Sequence, residues 1–162
     1  MGRGPVIIAY DGSPAAERAI GESGALLGKR AAVVIVVWKP GLGWELVELP
    51  TATLGLPPAP IDIRTALEID EKLAERSQLM AQHGAELAKA AGFDAEGLAI
   101  AEEIDVTIAE TIVGVARRRD AQAVVVGAHG HSRLGEVILG STSRDVIRHA
   151  PCPTVVVSGV ER

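Results

Sequence analysis

The chain has 162 residues, a net charge of −5 and a pI near 5.4; it is 48% hydrophobic but holds only two Trp, one Tyr and one Phe. That length suits one domain, 1–162, with an aliphatic core, and the acidic balance argues against a broad nucleic-acid or anionic-membrane surface. The lone cysteine, Cys152, excludes an intrachain disulfide and a cysteine metal cluster, and with no leader-like segment and no apolar run of about 18–20 residues the expectation is a soluble cytoplasmic protein without membrane partners.

Val6 to Tyr10 is a short apolar run between Pro5 and Asp11-Gly12 and predicts a buried strand. Ser13-Pro14 predicts a helix start, with Ser as N-cap and Pro at the first helical position. Ala16, Ala19, Ile20, Ser23 and Leu27 then recur at helical spacing to about Arg30. Ala31 to Trp38 is a second strand, continuous enough to need cover on both faces. The pattern fails from Lys39 to Asp62, where Pro40, Pro50, Pro57, Pro58 and Pro60 mix with Gly41, Gly43 and Gly55. We read 40–62 as a Pro-rich insertion with a short helix over 44–49, either a surface excursion or a lid or partner surface carrying Trp44.

A long helix follows, from Ile63 to Ala91, with Thr65 and Glu68 at capping-box spacing. Ile69, Leu73, Ser77, Met80, Gly84, Leu87 and Ala91 mark its expected inner face. Glu96 to Ala101 is a weaker strand suited to an edge. Asp105 is expected to cap the next helix, with Ile108, Ile112 and Val115 inward and Arg117-Arg118-Arg119 as a solvated end where cations suit the dipole. A fourth strand covers Ala123 to Val126, a last helix about Thr142 to His149, and a fifth strand Thr154 to Ser158. Alternating strands and helices imply right-handed crossovers and a parallel sheet.

The chemistry gathers after the fourth strand. Gly127 and Gly130 interrupt the chain, and Gly140 leads into Ser141, Thr142 and Ser143 at a helix start. Glycines permit positive φ and close approach of N–H groups to an anion, and a helix's first turn offers free N–H groups and a favourable dipole. The hydroxyls can cap the helix or bond phosphate oxygens. Arg133 offers a charge-assisted donor, or is simply exposed. The reading is a nucleotide or phosphate site. A Walker A loop is excluded, because Gly135 to Thr142 has Ser141 where the lysine belongs. His129-Gly130-His131 is one residue short of an HxGH signature, and two histidines alone make no metal site. Glu102, Glu103 and Asp105 read as caps, and no general base or nucleophile stands out.

Gly127, two residues, Gly130, nine residues, then Gly140-Ser141 resembles the ATP-binding signature of the universal stress protein (UspA-like) family. Tyr10-Asp11-Gly12-Ser13 and Arg148 to Val157 also resemble that family's first-strand exit and closing helix and strand. The resemblance implies an open five-stranded parallel sheet of order 3-2-1-4-5 with helices on both faces, a Rossmann-like α/β fold. Its switch point falls between strands one and four, where ligands bind. It further implies ATP as cofactor, with Mg2+ or Mn2+ held mainly by the phosphates. Val37 matches the position whose backbone meets adenine, and Ala9 and Val126 line the same pocket. Asp11 reaches a ribose hydroxyl or helps a cation, or else serves as a turn residue. Gly127, Gly130, Gly140, Ser141, Thr142, Ser143 and Arg133 meet phosphate, Ser143 through its hydroxyl and Thr142 through its N–H. Glu103-Ile104-Asp105-Val106 replaces the family's Gly-x-Pro turn. The implied role is a nucleotide-dependent stress-response regulator, at most a slow ATPase, working as a homodimer through Thr154 to Val157. A nucleotide-free interaction module and a slow ATPase or phosphotransferase are the alternatives.

Overall fold

Four of the five described strands are nearly continuous in apolar residues, and the architecture explains why. The computed structural model describes residues 4–41, 63–128 and 139–158. Five parallel strands, β1 (Val6–Ala9), β2 (Ala31–Trp38), β3 (Asp94–Ala101), β4 (Ala123–Gly127) and β5 (Thr154–Val157), form one sheet of order β3-β2-β1-β4-β5. Helices α1 (Pro14–Leu27) and α2 (Ile63–Ala90) cover one face, where Val6, Ile8, Val34 and Val36 pack with Ala19, Ile20, Ala85 and Ala88. Helices α3 (Ile108–Arg118) and α4 (Ser141–His149) cover the other, where Ile7, Val33, Ile35 and Val124 pack with Ile112, Val115, Ala116 and Val146. A strand covered on both sides has no polar face to alternate with.

Local chemistry sets most boundaries. Ser13 caps α1 as expected, its hydroxyl accepting the Ala16 N–H at 3.2 Å with Pro14 in the first turn. The helix stops at Leu27, short of Arg30, because Gly28 leaves helical geometry and Lys29 takes φ of +67°. β3 begins at Asp94, two residues before the expected Glu96, and is an edge strand as read. β4 runs one residue further, through Gly127, and α4 begins at Ser141. The helix expected at 44–49, with most of the Pro-rich stretch, lies outside the described residues. Its entrance is pinned, since Asp70 of α2 accepts the Gly41 N–H at 2.8 Å.

Three expectations are corrected. Asp105 is not the cap of α3. Thr107 is, in a full capping box: its hydroxyl accepts the Glu110 N–H at 3.2 Å, and Glu110 accepts the Thr107 N–H at 2.8 Å. Asp105 instead holds a left-handed φ of +61° in the turn before it. Ile112 and Val115 point inward, whereas Ile108 stays 43% exposed. Thr65 lies inside the first turn of α2, too late to cap it.

The buried stripe of α2 is made of small residues, Ala81, Gly84, Ala85 and Ala88, with Met80 largely outside it. The helix sits too close to the sheet for larger ones. A Cβ at Gly84 would lie 2.7 Å from Tyr10 Cδ1 and 2.8 Å from Val34 Cγ1, and one at Gly97 of β3 would overlap the Ala81 carbonyl. Among the described residues no helix is long and apolar enough to cross a membrane.

Two predictions follow from this packing. Gly97→Ala forces α2 off β3 and lowers stability by about 1–3 kcal/mol, read as a lower urea midpoint. Thr107→Ala costs about 0.5–2 kcal/mol at pH 7. The Thr107 backbone N–H and hydroxyl hold the Glu110 carboxyl below its usual range. That contribution is therefore present above the ordinary Glu pKa and fades as pH falls through the lowered one. The gap between wild type and Thr107→Ala should narrow in urea titrations at acid pH without closing, because the hydroxyl still accepts the Glu110 N–H there.

Candidate nucleotide site

The chain leaves β1 through α1 to one face of the sheet, and α4, which follows β4, lies on the other. β1 and β4 are neighbours, so their carboxyl ends part and leave a crevice. A cavity of about 270 Å³ opens there. Of the eleven residues singled out from the sequence, nine line it: Ala9, Asp11, Val37, Val126, Gly127, Gly140, Ser141, Thr142 and Ser143. Gly130 and Arg133 lie outside the described residues, as do His129 and His131.

The cavity has an apolar and a polar side. Ala9, Ile35, Val37 and Val126 come from strand ends, and Ile108 and Ile112 form a wall from the first turns of α3. The sequence reading placed these two isoleucines in the core and missed them as lining residues, with Tyr10, Ser13, Ala15, Ala16 and Ile35. Ile35 was within reach, since it shares a strand face with Val37 at period two. Ile108 and Ile112 share a helix face at i, i+4, but only the topology carries that face over the crevice.

On the polar side, α4 opens toward the cavity without a side-chain cap. Its N-cap is Gly140, which has no side chain to offer, and the first backbone bond runs from Arg144 N–H to Gly140 O at 3.1 Å. The N–H groups of Ser141, Thr142 and Ser143 take no protein acceptor among the described residues. By contrast, α1 and α3 satisfy first-turn donors through Ser13 and Thr107. Orphan donors and the positive end of a helix dipole thus face the polar side of the crevice.

The glycines act through proximity. Gly140 has φ of −61°, and Gly127 is absent from the positive-φ glycines among the described residues, which are Gly12, Gly41 and Gly92. Neither glycine therefore uses the positive φ that its type permits. A Cβ at Gly127 would lie 3.1 Å from the carbonyl carbon and oxygen of Ala15, so a bare Cα is what lets α1 approach the end of β4.

Ser143 is 5% exposed, and its hydroxyl donates to Gly127 O at 2.9 Å. Its proton is committed to bracing α4 against β4 and does not reach for a ligand; the N–H remains. The next residue, Ala128, donates its N–H to Val157 O at 2.8 Å. Asp11 performs the turn role, accepting the Ser13 N–H at 2.9 Å beside Gly12 at φ of +76°, while exposed at the cavity. Burial, then Glu17, pushes the Tyr10 phenol up, and burial does the same to the Cys152 thiol, which disfavours its thiolate. Among the described residues no three His, Cys, Asp or Glu side chains are grouped to hold a metal ion.

Comparison with known proteins places this arrangement. Residues 50–158, well over half the chain, match the model of the universal stress protein family. A universal stress protein of Mycolicibacterium smegmatis is 37% identical over 103 residues, covering 63% of this chain and 33% of that protein. The chain thus spans about a third of the length of the curated relative it matches. Among solved structures, universal stress protein UspA from Lactobacillus plantarum superposes with a TM-score of 0.65 at 18% identity, over 97% of this chain and 99% of that one. The universal stress protein from Archaeoglobus fulgidus in complex with dAMP gives 0.58 at 22% identity, over 96% and 98%. A universal stress protein in complex with cAMP gives 0.62 at 21%, over 95% and 96%. These structures share the fold along nearly the whole chain, and with the family match over residues 50–158 they lead to one conclusion: this chain belongs to the universal stress protein family.

Proposed function

We propose that the crevice binds an adenine nucleotide, ATP, and that the chain acts as a nucleotide-dependent regulator in a stress response. The observation that carries this reading is the meeting of an apolar slot with the uncapped first turn of α4. Five separate segments, within residues 9–16, 35–37, 108–112, 126–127 and 140–143, converge on it. The similar structures in complex with cAMP and dAMP support the same ligand class.

The residues present suit such a ligand. Val37, Ala9, Val126, Ile108 and Ile112 offer the apolar surface that a purine base needs. Asp11, exposed at the mouth, suits a ribose hydroxyl. The N–H groups of Ser141, Thr142 and Ser143 suit phosphate oxygens, with Gly130 and Arg133 assigned to the same role. The volume sits near the low end of the range for small-molecule sites, about 300–1,000 Å³. A divalent cation, Mg2+ or Mn2+, would be held mainly by the phosphates and would neutralise their charge. Any hydrolysis is slow, since among the described residues the lining carries no histidine, cysteine or lysine, and the carboxylate it does carry, Asp11, is tied to a turn. Two copies pair through β5, whose outer edge is apolar.

Isothermal titration with ATP, AMP and cyclic AMP tests the ligand. Ser141→Pro is the informative variant. It removes one first-turn N–H at the helix position where proline is best tolerated, and Gly140, at φ −61° and ψ 161°, already has the conformation that a following proline requires. ATP affinity should fall by about tenfold or more, since bonds to charged groups contribute about 1.5–3 kcal/mol. The melting temperature should hold, and Ser141→Ala should bind like wild type. Equal affinity in wild type and Ser141→Pro, or no binding of any of the three nucleotides by wild type, defeats the proposal.

A further inference from the structure

β3 and β5 are the two outer strands of the sheet, and their outward backbone groups are treated differently. Asp94 N–H bonds to Arg30 O at 3.0 Å and Glu102 N–H to Trp38 O at 2.8 Å. Even-numbered residues of β3 therefore turn their backbone groups toward β2, and odd-numbered ones turn theirs outward. Two of the outward groups are nevertheless paired. Gln78 of α2 donates from Nε2 to Gly97 O at 3.1 Å, and its Oε1 accepts the Ala99 N–H at 3.1 Å. A primary amide so placed offers the donor and the acceptor that a neighbouring strand's peptide would offer.

The reach depends on Gly97. The Ala81 carbonyl of α2 occupies the space that a Cβ there would need, which brings Gln78, three residues earlier on the helix, to the strand edge. At β5 the same parity argument runs the other way. Val124 N–H bonds to Pro153 O and Ala128 N–H to Val157 O, so Thr154 and Val156 turn outward. Their outward groups have no partner among the described residues.

We propose that Gln78 is an edge cap that closes β3 to strand addition and confines pairing to the β5 edge. A chain with one open edge closes at two copies, each covering the other's strand. A chain with two open edges adds copies without end. The cap stands whether or not the crevice takes a nucleotide, and it rests on the β5 pairing reading only for which edge remains open.

The test compares wild type, Gln78→Ala, Gln78→Glu and Val156→Pro by amide hydrogen exchange and sedimentation velocity. In Gln78→Ala the Ala99 amide should exchange about tenfold faster relative to the Val34 amide of the core. Species larger than two copies should appear as protein concentration rises. Gln78→Glu keeps an acceptor for Ala99 N–H and should retain its protection, which separates loss of the bond from loss of fold. Unchanged Ala99 exchange in Gln78→Ala, or faster exchange with no added association, overturns the cap. Val156→Pro removes only an outward N–H, as an edge strand tolerates. If wild-type pairs survive it, the β5 reading fails, while the Ala99 measurement still decides the cap.

Discussion

Two adjacent strands whose successors depart to opposite faces cannot keep their carboxyl ends covered, and the rest of this molecule follows from that constraint. β1 and β4 are hydrogen-bonded neighbours in register from Val6–Ala123 to Ile8–Val125. Beyond that register the chain splits, and the space between α1 and α4 is filled by neither. Protein interiors close-pack wherever they can, so an opening here comes from topology and not from poor packing. The residues on its polar side differ from the core: bare Cα atoms, short hydroxyls and the exposed carboxylate of Asp11, where the strands behind them are Val, Ile and Ala.

What could be read from the sequence was whatever depends on neighbours a few positions away. Ser13-Pro14 specifies a helix start by itself, and the Gly127 and Gly140-Ser141-Thr142-Ser143 cluster marks a strand end and a helix start without any tertiary knowledge. Continuous apolar strands announced cover on both faces. Asp105 and Thr107 show the limit of such reading. Both are capping residue types two positions apart, and only the backbone, left-handed at 105 and extended at 107, separates them.

The remainder was illegible because it is a property of distance between elements. Of the α2 face read from the sequence, Gly84 alone belongs to the stripe of Ala81, Gly84, Ala85 and Ala88 that is buried, a stripe selected by how closely the helix lies on β2 and β3. Ile108 and Ile112 have the pattern of any amphipathic helix, and nothing local says that this face lies over the crevice. Ser143 looked like a ligand donor because its proton's destination, Gly127 O, is a main-chain oxygen sixteen residues away. Gln78 carried no signal at all, since an amide on a helix surface is ordinary until a strand edge is found beside it.

The Ser143 brace has a mechanical implication. Gly127 C=O and Ala128 N–H belong to a single peptide unit, which partial double-bond character keeps planar. Its oxygen is gripped by Ser143 from α4, and its hydrogen by the carbonyl of Val157 at the end of β5. That rigid plate joins the crevice to the outermost strand like a rocker between two linkages: tilting it from the helix side tilts the bond on the strand side by the same angle.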